Sequence, residues 1–131
     1  MLILRNIIAV VIGFIIGSIV NIQIIDIGMS AIPLVEGIDP MDALEWDMKH
    51  FITPFFAHAL GTLSGAFVAA VVASTNKKIF ALVIGTLFLA GGIAMVFIIT
   101  APVWFIVLDL IVAYIPMGWI GWRLASSIKF N

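Results

Sequence analysis

Four apolar stretches, each about 20 residues long, dominate the sequence and constrain its fold. A helix that rises about 1.5 Å per residue needs this length to cross a hydrocarbon core about 30 Å thick. The composition agrees, because 64% of the residues are hydrophobic and 10% are charged, compared with about 45–50% and 25% in soluble domains. The sequence therefore predicts an all-α, polytopic membrane protein that forms one domain over residues 1–131, with four transmembrane helices at about 3–25, 51–74, 78–100 and 103–125.

The charged residues predict how these helices are oriented. Five of the six basic residues flank the apolar stretches, before residue 7, between residues 73 and 79, or after residue 122: Arg5, Lys77, Lys78, Arg123 and Lys129. An even number of crossings separates these three places, so they lie on one side of the membrane, which the positive-inside rule makes cytoplasmic. The predicted topology is N-in/C-in, and the long loop over 26–50, which holds six of the seven acidic residues, lies outside.

The outer loop also contains a helix signal in the stretch IDPMDALEWDMKHF. Asp39 is a suitable N-cap, and Pro40 follows at the first helical position, where a missing N–H is tolerated. Apolar residues then recur every three or four positions, at Met41, Leu44, Met48 and Phe51. This spacing predicts a short amphipathic helix that lies at the membrane interface between helices 1 and 2.

Polar side chains occur at a similar predicted depth on three different helices. His58, in the stretch FAHALGTLSGAFVAA, lies about 10 Å below the outer boundary on helix 2, and Asp109 lies at a similar depth on helix 4. Asn21 lies about four residues below the outer end of helix 1. These three residues are predicted to converge in the outer half of the bundle, with Thr62 and Tyr114 as further members of the site.

Asp109 is expected either to find a partner or to stay protonated, because a charged carboxylate near the bilayer centre costs about 2.5–3.5 kcal/mol. His58 is the best candidate within the core, and Lys49 and His50 at the outer boundary are second choices. A His58–Asp109 bond either belongs to a ligand, ion or proton site or only fastens helix 2 to helix 4. Interhelical hydrogen bonds in membranes contribute about 0.6 kcal/mol on average, and ionisable residues inside membranes favour the first interpretation.

Small residues predict where the helices pack. Gly13 and Gly17 form a small-xxx-small motif on helix 1, and Gly61 and Gly65 form a second one on helix 2. Such motifs let helix backbones approach closely, so we predict ordinary helix packing or oligomer contacts for these four glycines. In helix 4, Pro116 is predicted to introduce a bend, because a proline inside a helix leaves one carbonyl without its donor.

Several kinds of chemistry find no support in the sequence. The chain has no cysteine, no HExxH motif, no phosphate-binding glycine loop and no basic patch, so we predict no metal, no cofactor and no nucleic-acid partner. A divalent ion held by Glu45, Asp47 and His50 is a weak alternative. We assign no catalytic residues. A membrane-embedded enzyme, which would use His58 and Asp109 as an acid–base pair, is the less favoured interpretation.

Four stretches carry a resemblance to known proteins: HALGTLSGAFVAA, IGTLFLAGGIAMVF, APVWFIVLDLIVAYIPMGWIGWRLA and the loop segment AIPLVEG. They resemble small four-helix integral membrane proteins of bacteria that have no assigned function. The resemblance implies a multi-pass protein of the bacterial inner (cytoplasmic) membrane and no particular active residues. It does not extend to the small multidrug transporters, because helix 1 lacks their membrane-embedded glutamate, or to the fluoride channels, whose signature is not evident.

These features predict a small integral membrane protein whose polar site in the outer half binds or passes a small amphiphile, lipid, ion or proton. Membrane lipid is the predicted partner, and assembly into a homo-oligomer or a larger membrane complex is expected because four short helices enclose little volume. The alternative is a non-catalytic accessory or structural subunit that docks on another membrane protein through small-residue helix faces. A polar cavity that opens toward the outer leaflet would favour the first function, and a dry bundle with an exposed glycine and alanine stripe would favour the second.

Overall fold

The computed structural model describes residues 1–128, so Lys129, counted above among the basic residues, lies outside the described part of the chain. The described chain is all-α, and its helices in order are α1 (Leu2–Ala31), α2 (Ile52–Val72), α3 (Lys77–Val96), α4 (Val103–Val112) and α5 (Ile115–Ser126). Four segments are long and apolar enough to cross a membrane, and the fourth of them combines α4 and α5. By helix length and hydropathy, the chain is a multi-pass membrane protein, as the sequence predicts.

Two helices end at positions that differ from the predicted ones. α1 continues past residue 25 to Ala31, and the next residue that stops a helix, Pro33, follows shortly after. α3 ends at Val96 rather than near residue 100, because the chain then turns toward the long loop, with which Thr100 pairs. We call the end of the bundle that carries the long loop the acidic end, and the opposite end, which carries the α2–α3 connection, the basic end.

α2 lies at the centre of the bundle and packs against α1, α3 and α5. The core that it forms with α3 and α5 consists mainly of alanine: Ala66, Ala69, Ala70, Ala81, Ile84 and Ala125. Lipid tails are as apolar as these side chains, so close packing and hydrogen bonds, rather than removal from water, hold membrane helices together. The small alanine side chains allow that close packing.

Four glycines form the contact between α1 and α2: Gly13, Gly17, Gly61 and Gly65. A Cβ atom placed on Gly65 would lie 2.6 Å from the carbonyl oxygen of Gly13, and one on Gly17 would lie 2.6 Å from that of Gly61. Atoms this close clash, so the two backbones touch only because no side chain lies between them. All four glycines are buried within the single chain, which leaves none of them exposed to a second copy.

Asn6 holds the basic end together and is only 8% exposed. Its Oδ1 accepts from the backbone N–H of Ser74 at 2.9 Å, and its Nδ2 donates to the hydroxyl of Thr75 at 2.8 Å. Next to it, Nε of Arg5 donates to the carbonyl of Val72 at 2.6 Å, at the end of α2 where carbonyls lack helical partners. These bonds fix the start of α1 to the α2–α3 connection.

The predicted interfacial helix over about 39–51 does not form as a single helix. The segment forms two short 3₁₀ turns, Ala43–Glu45 and Met48–Phe51, and the second turn leads directly into α2. Between the turns the backbone of Trp46 and Asp47 is extended, with ψ angles of 147° and 159°. This extended pair interrupts the helical spacing on which the prediction depended.

Pairing with the α3–α4 connection explains the backbone of the loop. The N–H of Ala43 donates to the carbonyl of Thr100 at 2.7 Å, and the N–H of Thr100 donates to the carbonyl of Met41 at 3.2 Å. These bonds use groups that a helix would have bonded internally, and they hold the loop across the acidic end. Phe51 becomes buried as a result. The other three apolar residues of the predicted stripe are exposed: Met41, Leu44 and Met48.

Candidate functional site

The candidate site is built on a pair formed by His58 of α2 and Asp109 of α4. Nδ1 of His58 lies 2.8 Å from Oδ1 and 3.0 Å from Oδ2 of Asp109. Asp109 is 6% exposed, whereas 25% of the His58 side chain is exposed. His58 lies about two turns below the start of α2, so the pair is inside the transmembrane span. The predicted partnership of these two residues is confirmed.

Tyr114 completes the hydrogen bonding of the carboxylate. Its hydroxyl donates to Oδ2 of Asp109 at 3.0 Å, and its ring stacks on the imidazole of His58 with 5.8 Å between ring centroids. When Asp109 is ionised, its carboxylate accepts hydrogen bonds from both His58 and Tyr114. The neutral imidazole of His58 therefore carries its proton on Nδ1. The other ring nitrogen, Nε2, has no hydrogen-bond partner among residues 1–128.

A break in the fourth span brings Tyr114 to this position. α4 ends at Val112 and α5 begins at Ile115, with Pro116 as its second residue. Pro116 has no backbone N–H to bond the carbonyl four residues earlier, which accounts for a break where the sequence predicts a bend. Gly92 of α3 provides the room, since a Cβ there would lie 2.6 Å from the Tyr114 hydroxyl oxygen.

His58 and Asp109 line a cavity of about 310 Å³ at the acidic end of the bundle. Small-molecule sites usually enclose about 300–1,000 Å³, so this cavity is at the small end of that range. Its wall is contributed by α1, α2, α3, α4 and the loop, and is mainly apolar, with Met29, Met41, Phe51, Met95, Phe105 and Leu110 among its residues. The methionines have flexible thioether side chains that adapt to ligands of different shape.

The indole of Trp46 is a further polar group in the wall of the cavity. Its ring packs against that of Phe51, with 5.3 Å between ring centroids. Nε1 of Trp46 is buried and has no hydrogen-bond partner within the described part of the chain. Buried donors without a partner are rare, because each costs about 1–3 kcal/mol. Trp46 therefore combines a place in the cavity wall with a buried donor that has no partner among residues 1–128.

Asn21 and Thr62, which the sequence also predicts as site residues, do not bond to the side chains of the pair. Asn21 lies in the α1–α2 contact, where its Cβ is 3.0 Å from a Cβ placed on Gly61, and its Oδ1 is buried without a partner among residues 1–128. Thr62 is fully buried, and its hydroxyl donates to the backbone carbonyl of His58 at 2.8 Å. Thr62 therefore supports the backbone below His58 rather than the imidazole.

His50, a second choice as the partner of Asp109, bonds within the loop instead. One of its ring nitrogens, Nε2, donates to the carbonyl of Pro33 at 3.0 Å, and the other, Nδ1, accepts from the N–H of Asp47 at 3.0 Å. Both nitrogens are therefore occupied. Across residues 1–128, no three acidic or histidine side chains are grouped to hold a metal ion, so a site at Glu45, Asp47 and His50 has no structural support.

Sequence reasoning missed three residues: Asn6, Trp46 and Gly92. Asn6 could have been identified, because it is a polar side chain near the start of an apolar run, as Asn21 is near the end of one. Trp46 and Gly92 gave no comparable signal. Their roles depend on segments that are distant in the sequence, namely the loop against the bundle and α3 against the α4–α5 break.

Comparisons with protein-family models, with curated proteins and with solved structures find no match. The resemblance noted from the sequence is therefore limited to architecture, namely four helices long and apolar enough to span a membrane.

Proposed function

We propose that the chain is a membrane protein that binds a small amphiphile in the cavity at its acidic end, with a polar group of the ligand on His58. One observation carries this proposal: the His58–Asp109 pair lines a cavity instead of being enclosed between tightly packed helices. A pair that only joined α2 to α4 would need no space beside it. Ionisable groups inside a membrane are also costly and usually functional.

The chemistry of the cavity supports an amphiphile as the ligand. The apolar wall suits a hydrocarbon chain, and Nε2 of His58 is available to one polar group. Because the carboxylate of Asp109 orients the ring, Nε2 accepts a hydrogen bond when the imidazole is neutral and donates one when it is charged. Met95 lines the cavity and is 41% exposed, which supports entry from the bilayer.

Passage of an ion or a proton has less support. From the pair toward the basic end, the core contains Ala66, Ala69 and Ile84, each fully buried. The buried hydroxyl of Thr62 is already bonded to its own helix. A conducting path would need further polar side chains or water sites beyond these residues. We therefore favour binding over conduction.

The proposal is tested by binding of decan-1-ol to the native chain and to a triple variant, His58→Phe with Asp109→Leu and Tyr114→Phe. The variant removes the three bonded side chains together, so it leaves no buried donor without its acceptor. We expect it to retain its helicity and to bind decan-1-ol at least about tenfold more weakly, since each tenfold change is about 1.4 kcal/mol. Titration in detergent micelles and native mass spectrometry measure the binding.

Thr86→Val is the matched control for this experiment. Thr86 is exposed on α3, and its hydroxyl donates only to the carbonyl of Leu82 in the same helix, at 2.9 Å. This variant should bind decan-1-ol as the native chain does. Equal binding by the native chain and the triple variant would contradict the proposal and favour the accessory subunit.

Docking on another membrane protein is a second candidate function, supported by one observation on α3. Ala90, Gly91 and Ala94 are exposed, and a Cβ placed on Gly91 would have no atom within 4 Å. In a bilayer such a small-residue surface lets another helix approach closely. Docking requires no ligand in the cavity, so the decan-1-ol experiment separates the two functions.

We infer the N-in/C-in orientation from the distribution of charge, with Arg5, Lys77 and Arg123 toward the cytoplasm. The bacterial inner membrane is inferred from the resemblance noted in the sequence. The native chain has no cysteine, so single cysteines can be placed at exposed Glu36 in the loop and exposed Thr75 between α2 and α3. An impermeant maleimide added to intact cells should label Glu36→Cys and not Thr75→Cys. The reverse labelling pattern would invert the orientation.

A further inference from the structure

Trp46 presents a hydrogen-bond donor that no atom of the described chain accepts. The residue lies between the two 3₁₀ turns, and its ring is fixed against Phe51 and His50, with 5.3 Å and 6.4 Å between ring centroids. Its backbone N–H donates to the carbonyl of Ala43 at 3.3 Å, which also holds the residue in place. Nε1 is buried and unpaired among residues 1–128, while the side chain lines the cavity.

An indole N–H can be satisfied by only one kind of partner. It donates and does not accept, so it requires an acceptor atom. The polar neighbour of the ring, His50, already has both nitrogens bonded to Pro33 and Asp47. The loop therefore offers no acceptor from this side chain, and the adjoining cavity is the place where a bound molecule can supply one.

We propose that Trp46 recognises a carbonyl oxygen of the bound amphiphile, so that the ligand is an acyl compound, an ester or a free acid. This inference rests on the proposed function, in which the same ligand places a polar group on His58. A carbonyl oxygen accepts without donating, which matches the donor-only indole. Trp46 on the loop and His58 on α2 line one cavity, and its apolar wall takes the hydrocarbon chain.

The test compares three probes of similar length in detergent micelles: methyl octanoate, octanoic acid and undecane. The native chain should bind one acyl probe about tenfold more tightly than undecane, which corresponds to about 1.4 kcal/mol. Trp46→Phe keeps an aromatic ring but removes the donor. It should weaken binding of the preferred acyl probe at least about fivefold, while His58 keeps its own contact, and should change undecane binding by less than about twofold. The indole ¹⁵N–¹H resonance of Trp46 should shift with the preferred acyl probe and not with undecane. The choice between methyl octanoate and octanoic acid shows whether the site takes an ester or a free acid.

Trp104→Phe is the matched control. Trp104 also lies at the acidic end and contacts Phe51, with 5.1 Å between ring centroids, but it does not line the cavity. This variant should retain the acyl preference.

Three results would overturn the inference: unchanged binding of the preferred acyl probe in Trp46→Phe, an equal loss of acyl and undecane binding in that variant, or no acyl preference in the native chain. None of them affects the decan-1-ol result, which depends on His58. Failure of every probe, including decan-1-ol, to bind the native chain would instead contradict the proposed function itself.

Discussion

Replacing Asp109 with leucine is expected to lower the free energy of unfolding by about 2–3 kcal/mol, because it leaves hydrogen-bond donors without an acceptor and a buried unpaired donor costs about 1–3 kcal/mol. Asp109 is 6% exposed and accepts from two side chains, so the change leaves Nδ1 of His58 and the hydroxyl of Tyr114 without an acceptor. Neither group has another partner among residues 1–128. Unfolding by SDS in mixed micelles, followed by far-ultraviolet circular dichroism, measures the change.

The triple variant used for ligand binding shows whether Asp109→Leu loses stability because polar groups are left unpaired or because the packing is altered. With His58, Asp109 and Tyr114 all replaced by apolar side chains, no donor is left unpaired, so stability should return to within about 1.5 kcal/mol of the native chain. Asp109→Asn keeps one acceptor oxygen and should fall between the native chain and Asp109→Leu. A triple variant as unstable as Asp109→Leu would contradict this account, because unsatisfied partners would not be the cause of the loss.

The transmembrane spans could be predicted because the membrane imposes one requirement on every segment within it. Backbone groups in hydrocarbon must bond within the segment, so an apolar run of sufficient length forms a helix. The His58–Asp109 pair could be predicted for a related reason. Position within an apolar run gives the depth of a residue, a carboxylate at that depth needs a donor, and His58 is the one histidine inside the core.

The loop and the cavity could not be predicted, because they depend on contacts between segments that are distant in the sequence. The pairing of Thr100 with the loop determines where Trp46 lies, and no local pattern encodes that pairing. Depth alone was also insufficient for Asn21, which lies in the contact with Gly61 and does not bond to the pair. Sequence position gives the height of a side chain along a helix more reliably than the direction in which it points.

Replacing Gly65 with alanine should destabilise the chain, whereas the same change at Gly91 should not. A Cβ on Gly65 would lie 2.6 Å from the carbonyl oxygen of Gly13 and 3.2 Å from Cγ2 of Ile84, so α1 and α2 would have to separate. Overpacking of this kind costs about 1–3 kcal/mol, and more where backbone must move. A Cβ on Gly91 meets no atom within 4 Å, so alanine there should gain up to about 1 kcal/mol of helix propensity.

These two variants form a matched pair, since each adds one methyl group to a transmembrane helix and only the surroundings differ. Gly65→Ala should unfold at a lower SDS fraction than the native chain, and Gly91→Ala at an equal or higher one. Because Met29 of α1 lines the cavity, displacement of α1 should also weaken decan-1-ol binding in Gly65→Ala alone. If Gly65→Ala and Gly91→Ala were equally stable, the close approach of the α1 and α2 backbones would not limit the stability of the chain.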